Sequence, residues 1–224
     1  MLKLTARDGV PVRAAEFSGP KDAPVIVYFH GNGVVMGDVL WMAHEFLQRG
    51  VGVVLAEYRG YGLSAESSQA SPSEAGLYAD AEAVLAALAS EGIEPKRIAL
   101  FGESLGTGVA VEMAARGHGA SLVLVTPYTS IPAAASRFVF GLPVQLLMRE
   151  RFDSLAKAPR ITAPALLLHG TDDGVVPYSM GAKLAATLPR ARLITVQGGH
   201  HNDLFLGEGA RFFDEVVNFV REPR

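Results

Sequence analysis

The 224-residue chain contains no cysteine, which excludes disulfides, thiolate metal sites and cysteine nucleophiles and leaves a reducing cytoplasm compatible with it. Charge of either sign is not in large excess. The 20 Lys and Arg against 23 Asp and Glu leave a net −3, with both signs interspersed. No basic stripe marks a nucleic-acid surface, and no acidic tail is present. Apolar runs all fall far short of membrane-spanning length, and the opening "MLKLTARDGV" lacks the apolar h-region of a signal peptide. These absences predict a cytoplasmic protein with no integral membrane segment and no nucleic-acid partner. Internal repeats, linkers and low-complexity tracts are also missing, so one domain, 1–224, is expected. Oligomeric state is left open.

What is present is a succession of short runs dense in Val, Ile and Leu. They read "APVIVYFHG", "VGVVLAEYRG", "RIALFGES", "ASLVLVTP", "APALLLHG" and "ARLITVQGG". Each is apolar on both faces and closed by Gly, Pro or a polar residue, as buried parallel strands are. Before them, "LKLTARDGVPVRAAEF" reads as a β-hairpin turning near Asp8-Gly9. Helical patterns fall between the runs. The clearest follows "SPSE", where Ser71 is the expected cap, Pro72 the first helical residue and Glu74 the completion of a capping box. Alternating strand and helix predicts a mostly parallel sheet with helices on both faces. One irregular insertion, about 128–160, interrupts the pattern.

In such sheets, functional residues gather in loops at the carboxyl ends of the strands. Here those ends read "HGNG", "YRGYG", "GESLG", "TPYTS", "HGTDDGVVP" and "GGHHND". "GESLG" closes the strand "RIALF" and opens the helix "LGTGVAVEMAAR". Gly-x-Ser-x-Gly at a strand–helix junction describes a nucleophile elbow, with Ser104 in a strained turn and glycines letting neighbouring backbone pass. A serine needs a base, and the base needs an orienting carboxylate. The chain offers Asp172 or Asp173 after a later strand and His200 or His201 after the last, in the order Ser, acid, His that this type of sheet uses. The backbone N–H after the nucleophile, Leu105, is one expected oxyanion donor.

The motifs "FHGNG", "EYRGYGLS", "GESLG", "LLLHGTDDGVVP" and "GHHND" make the chain resemble the α/β-hydrolase superfamily over essentially its whole length. Within it, the chain is similar to the small serine hydrolases called alpha/beta hydrolase domain-containing proteins. The resemblance implies an α/β-hydrolase fold, with an eight-stranded, mostly parallel sheet and a Ser-His-Asp triad. Relatives read His-Gly-Thr-x-Asp before Val-Pro, which selects Asp173. They read Gly-His-Asn-Asp near the end, which selects His201. The second oxyanion donor then falls on Asn32. Several relatives carry a membrane anchor or a lipidated cysteine-rich tail, and neither is seen in this sequence.

The remaining residues receive plainer readings. His200 shapes its loop, Asp172 is a solvated turn carboxylate, and Asp203 caps the approach to the last helix. His30 and His169 bond to loop backbone, while His44 and His118 lie on the surface. "YRGYG" is loop architecture. The insertion reads as a short lid, with Pro132 and Pro143 starting helices and Phe138, Val139, Phe140, Leu142, Val144, Leu146, Leu147 and Met148 supplying apolar surface. The expected activity is hydrolysis of a small-molecule carboxylic ester, with thioesters next, through an acyl-enzyme and without cofactor or metal. Two other readings are a peptidase or amidase of the same type and a non-catalytic ligand-binding homologue. A metal hydrolase using the His and Asp residues of the last two loops leaves the elbow serine unexplained, and no His-x-x-x-His pair supports it.

Overall fold

The computed structural model describes residues 1–138, 147–206 and 210–223. Eight strands form one sheet in the order β1-β2-β4-β3-β5-β6-β7-β8. They are β1 (Leu2–Thr5), β2 (Pro11–Phe17), β3 (Val25–Phe29), β4 (Gly52–Glu57), β5 (Ile98–Glu103), β6 (Ser121–Val125), β7 (Ala165–Gly170) and β8 (Ala191–Val196). Only β2 runs against the rest, because the hairpin places it antiparallel to both β1 and β4. The other pairings are parallel. This is the expected α/β-hydrolase sheet.

The apolar-on-both-faces runs have a direct cause. On β3, Val25, Val27 and Phe29 enter one core, while Ile26 and Tyr28 enter the other. The first core is covered by α3 (Glu74–Ser90), α4 (Leu105–Ala115) and α7 (Tyr178–Thr187) through Leu77, Val109 and Leu184. The second is covered by α1 (Leu40–Gln48) and α8 (Ala210–Arg221) through Phe46, Phe213 and Val217. The short helices α2 (Gly62–Ser67), α5 (Ile131–Ala135) and α6 (Ser154–Lys157) complete the described elements used below.

Helix α3 departs from the expected start. Ser73, not Ser71, is the N-cap, and its hydroxyl accepts from Gly76 N at 3.1 Å. Pro72 is held outside the helix against Gly60, where a Cβ would lie 2.5 Å from Pro72 Cδ. Glu74 makes no capping box. Its Oε2 accepts from Arg151 N at 2.7 Å and Phe152 N at 2.9 Å. A carboxylate at a helix N-terminus is thus used to fasten the far end of the insertion. The near end is stitched to it by Ile131 N to Arg151 O at 2.9 Å and Leu155 N to Thr129 O at 3.0 Å.

The "YRGYG" segment also has a structural explanation. Arg59 is buried and bonds Asp80 through its side chain and its backbone N–H, and reaches Asp8 as well. A guanidinium satisfied by two carboxylates ties β4, α3 and the hairpin turn together. Pro132 sits in the first turn of α5, as expected. Pro143, Val139, Phe140, Leu142, Val144 and Leu146 lie outside the described residues.

Candidate active site

The elbow follows from sterics. Gly102 and Gly106 flank Ser104 at the junction of β5 and α4. A Cβ on Gly102 would lie 2.4 Å from Gly106 O, and one on Gly106 would lie 1.9 Å from Phe29 O. Glycine is the one residue that lets α4 start this close to β3. The turn forces Ser104 to φ 47 and ψ −115, a conformation that side chains seldom adopt. Bonds from Ser104 N to Val125 O at 3.0 Å and from Thr107 N to Ser104 O at 3.0 Å hold it there.

His201 reaches over this turn. Its Nε2 lies 2.9 Å from Ser104 Oγ, and its Nδ1 lies 2.8 Å from Asp173 Oδ2. A carboxylate can only accept, so Nδ1 carries the proton and Nε2 is the bare acceptor facing the serine. The structure therefore brings Ser104, His201 and Asp173 together. The neighbouring ring of His200 is exposed and turned away, donating from Nδ1 to Asp172 O at 3.0 Å. Asp172 is exposed. The residues that lead into the last helix, 207–209, lie outside the described ones, and so does any capping of it by Asp203. Asp203 accepts from His200 N at 2.7 Å and so shapes the histidine loop itself.

Asp173 is buried and fully satisfied. Oδ1 accepts from Val175 N and Val176 N, each at 2.8 Å. Oδ2 receives His201 and lies 3.3 Å from His169 Nε2, which also bonds Val176 O at 2.9 Å. Burial alone would raise this carboxyl. The bonds from His169, His201 and Val176 outweigh it and hold the group well below the usual carboxylate range. His169 is thus more than the backbone anchor that the sequence implied. Its spacing of four residues before Asp173 was the available signal. Gly181 gives the ring its room, since a Cβ there would lie 2.2 Å from His169 Nδ1.

The acid and histidine loops cross with bare backbone. A Cβ on Gly170 would lie 2.0 Å from Gly199 O. Asp172 N donates to Gly199 O at 3.0 Å, and Gly198 N donates to Thr171 Oγ1 at 2.9 Å.

The loop after β3 is built differently. His30 is fully buried, and its Nδ1 donates to Gly31 O at 2.9 Å. Asn32 is exposed, and its side-chain oxygen accepts from Tyr61 OH at 2.8 Å. Gly33 takes φ +74. Leu105 opens α4, so its N–H has no acceptor within the helix. Tyr128, which no sequence motif singles out, donates to Leu105 O at 3.0 Å and fixes that first turn. Gly108 makes room for the phenol, since a Cβ there would lie 2.1 Å from Tyr128 OH.

A cavity of about 210 Å³ lies over the serine, lined by Asn32, Val34, Glu103, Ser104, Val175 and His201 among others. A larger apolar groove of about 380 Å³ runs beside Phe17, Met36, Leu40 and Leu63, and its lining holds no serine, histidine or threonine. Among the described residues, no three His or carboxylate side chains are disposed to hold a metal ion. No described helix is long and apolar enough to cross a membrane. Of the apolar residues of the insertion, Phe138 is 63% and Leu147 66% exposed.

A family model described as "Serine aminopeptidase, S33" matches residues 20–152, and one described as "TAP-like protein" matches residues 147–224. An uncharacterized protein of Mycobacterium tuberculosis is 37% identical over 77% of this chain and 61% of its own length. Alpha/beta hydrolase domain-containing protein 17B of Xenopus laevis is 33% identical over 91% of this chain and 68% of its own. The chain thus spans about three fifths of the first of these relatives. Among solved structures, an esterase from Exiguobacterium antarcticum superposes with a TM-score of 0.76 at 18% identity, covering 98% of this chain and 99% of its own. The Pyrococcus furiosus esterase Pf2001 gives 0.81 at 17%, covering 98% and 90%. At that identity, the two structures establish the fold alone. On its family matches and relatives, the chain belongs to the α/β-hydrolase superfamily, among the small hydrolases that include the alpha/beta hydrolase domain-containing proteins.

Proposed function

We propose that this chain is a serine hydrolase of small carboxylic esters, with Ser104 as nucleophile, His201 as general base and acid, and Asp173 as the orienting carboxylate. The observation that carries the reading is the single imidazole spanning Ser104 Oγ at 2.9 Å and Asp173 Oδ2 at 2.8 Å. Ser104 Oγ attacks the ester carbonyl carbon as its proton passes to His201 Nε2. The oxyanion is received by the N–H groups of Leu105 and Asn32, the first at the positive end of the α4 dipole. His201 then protonates the leaving alcohol, and the acyl-enzyme forms. Water, activated by the same imidazole, releases the acid and restores the serine. No cofactor is required. The single domain, the lid at 128–160 and a cytoplasmic location belong to this same proposal.

A peptidase or amidase reading is the alternative, favoured by the family model's description as a serine aminopeptidase. The two separate on matched p-nitrophenyl esters and p-nitroanilides. Purified protein is expected to turn over the short-chain esters and to be labelled by a fluorophosphonate, and Ser104→Ala is expected to lose both. Turnover confined to the anilides would favour the amidase. A protein that neither labels nor turns over either series would be a non-catalytic homologue.

A further inference from the structure

One carboxylate lines the cavity over the serine, and the mechanism above does not use it. Glu103 ends β5, directly before Ser104, and is partly exposed. Its Oε2 accepts from the hydroxyl of Tyr28. Among the described residues, no donor reaches Oε1 and no Lys or Arg pairs with the group. Buried Glu57 also lacks a cation among the described residues, but each of its oxygens accepts a backbone N–H, from Met36 at 2.7 Å and Leu63 at 3.0 Å, and three further buried or half-buried acids have a charged or imidazole partner. Asp80 has Arg59, Glu112 has Lys157 and Arg116, and Asp173 has two imidazoles. Glu103 has a neutral phenol. A desolvated carboxylate with no fixed cation is costly to keep. Burial raises this carboxyl, while the Tyr28 hydroxyl and the nearby His201 oppose the rise. The remaining lining of the cavity is Gly31, Asn32, Val34, Ser104, Val175, His201 and Asn202, which supplies no other acid and no Lys or Arg.

We propose that Glu103 makes this cavity a recognition site for a positively charged nitrogen, so that the favoured substrates are esters or amides carrying an ammonium group close to the scissile carbonyl. The inference rests on the reading of Ser104 as nucleophile. At about 210 Å³ the cavity takes only the reacting end of a substrate, since sites for whole drug-sized ligands run to roughly 300–1,000 Å³. A charge held there stands in a water-poor space, where attraction to the carboxylate is less screened than at an open surface.

Glu103 also faces the imidazolium that forms during turnover. That effect raises the rate for every substrate alike, and a ratio between substrates removes it. The test uses two isosteric pairs that differ by one permanent charge. The first is the p-nitrophenyl esters of trimethylglycine and of 3,3-dimethylbutyrate. The second is 3-(trimethylammonio)phenyl acetate and 3-tert-butylphenyl acetate. The cationic-to-neutral ratio of kcat/KM is measured for wild type and for Glu103→Gln. Intrinsic reactivity cancels between the two proteins. The wild-type ratio is expected to exceed the variant's by about tenfold in at least one pair. Double ratios within twofold of one in both pairs would overturn the proposal. If Glu103→Gln does not fold, inhibition of wild-type turnover of a neutral ester decides. Tetramethylammonium is then expected to compete about tenfold more tightly than tert-butanol, and equal inhibition would overturn the proposal. Hydrolysis that persists in Ser104→Ala would remove the nucleophile assignment alone, because the double ratio still reports whether the carboxylate meets the substrate.

Discussion

Two strand-end loops begin with the same dipeptide, His30-Gly31 after β3 and His169-Gly170 closing β7, and they are held in different ways. Both rings are fully buried. His30 carries its proton on Nδ1 and spends it on the next residue's carbonyl. His169 carries its proton on Nε2 and reaches Val176 O and the Asp173 carboxylate. Each leaves its other nitrogen without a partner, and these are the sole fully buried side-chain N or O atoms so left among the described residues. The acid loop is therefore fixed by four donors converging on one carboxylate. The loop after β3 is held by two phenols, Tyr61 at Asn32 Oδ1 at 2.8 Å and Tyr58 at His30 O at 3.5 Å. The same two letters anchor one loop to itself and the other to the group it must position.

The comparison can be broken by mutation. The largest effect is expected at the shared target of both loops. Ser104→Ala should lower ester turnover by more than about a thousandfold with the fold retained by circular dichroism. His201→Gln should do nearly the same, and His200→Gln should cost far less. The reverse order for the two histidines would exchange their roles. Asp173→Asn comes next, with kcat reduced by about 10³- to 10⁴-fold, because the amide no longer holds His201 in the tautomer that faces Ser104.

Disturbing the supports should then separate the loops. His169→Gln is expected to lower kcat about tenfold with little change in KM, and Gly181→Ala to act in the same direction by pushing the ring toward Asp173. Tyr61→Phe removes one bond at an exposed residue and should cost about two- to fivefold. A larger loss in Tyr61→Phe than in His169→Gln would overturn the contrast drawn between the loops.

The smallest expected effect is on stability against pH. The folded-state pKa of Asp173 is depressed, so its contribution is complete above the unfolded carboxyl value of about 3.9 and fades as pH falls toward the folded one. Denaturant titration should find Asp173→Asn less stable than wild type by on the order of 1–3 kcal/mol at pH 7, and the gap should narrow at pH 3. A gap that widens in acid would contradict the bonding around Asp173.

Much of this was legible in the chain because it is written in backbone sterics. The paired glycines of "GESLG" and the two-faced apolar runs follow from contacts that leave no room for a side chain or for water. What was misread involves side chains that choose among distant partners. Ser71 and Glu74 fit a capping box by spacing, but Glu74 finds the N–H groups of Arg151 and Phe152, more than seventy residues away in sequence. Asp203, three residues after His200, accepts its N–H, a bond that the turn decides and the sequence spacing does not. Tyr128 and Glu103 went unnoticed because neither a lone tyrosine nor the variable letter of an elbow carries a local signal.

The bare crossing of Gly170 and Gly199 has one more consequence. The amide of Asp172 bonds across it, that of Thr171 reaches Val196 O, and Gly198 N closes on the Thr171 hydroxyl. His201 and Asp173 therefore ride on one cooperative unit rather than on two independent loops. In native-state hydrogen exchange these amides should share a single opening free energy, and when that unit opens, Asp173 and His201 leave Ser104 together.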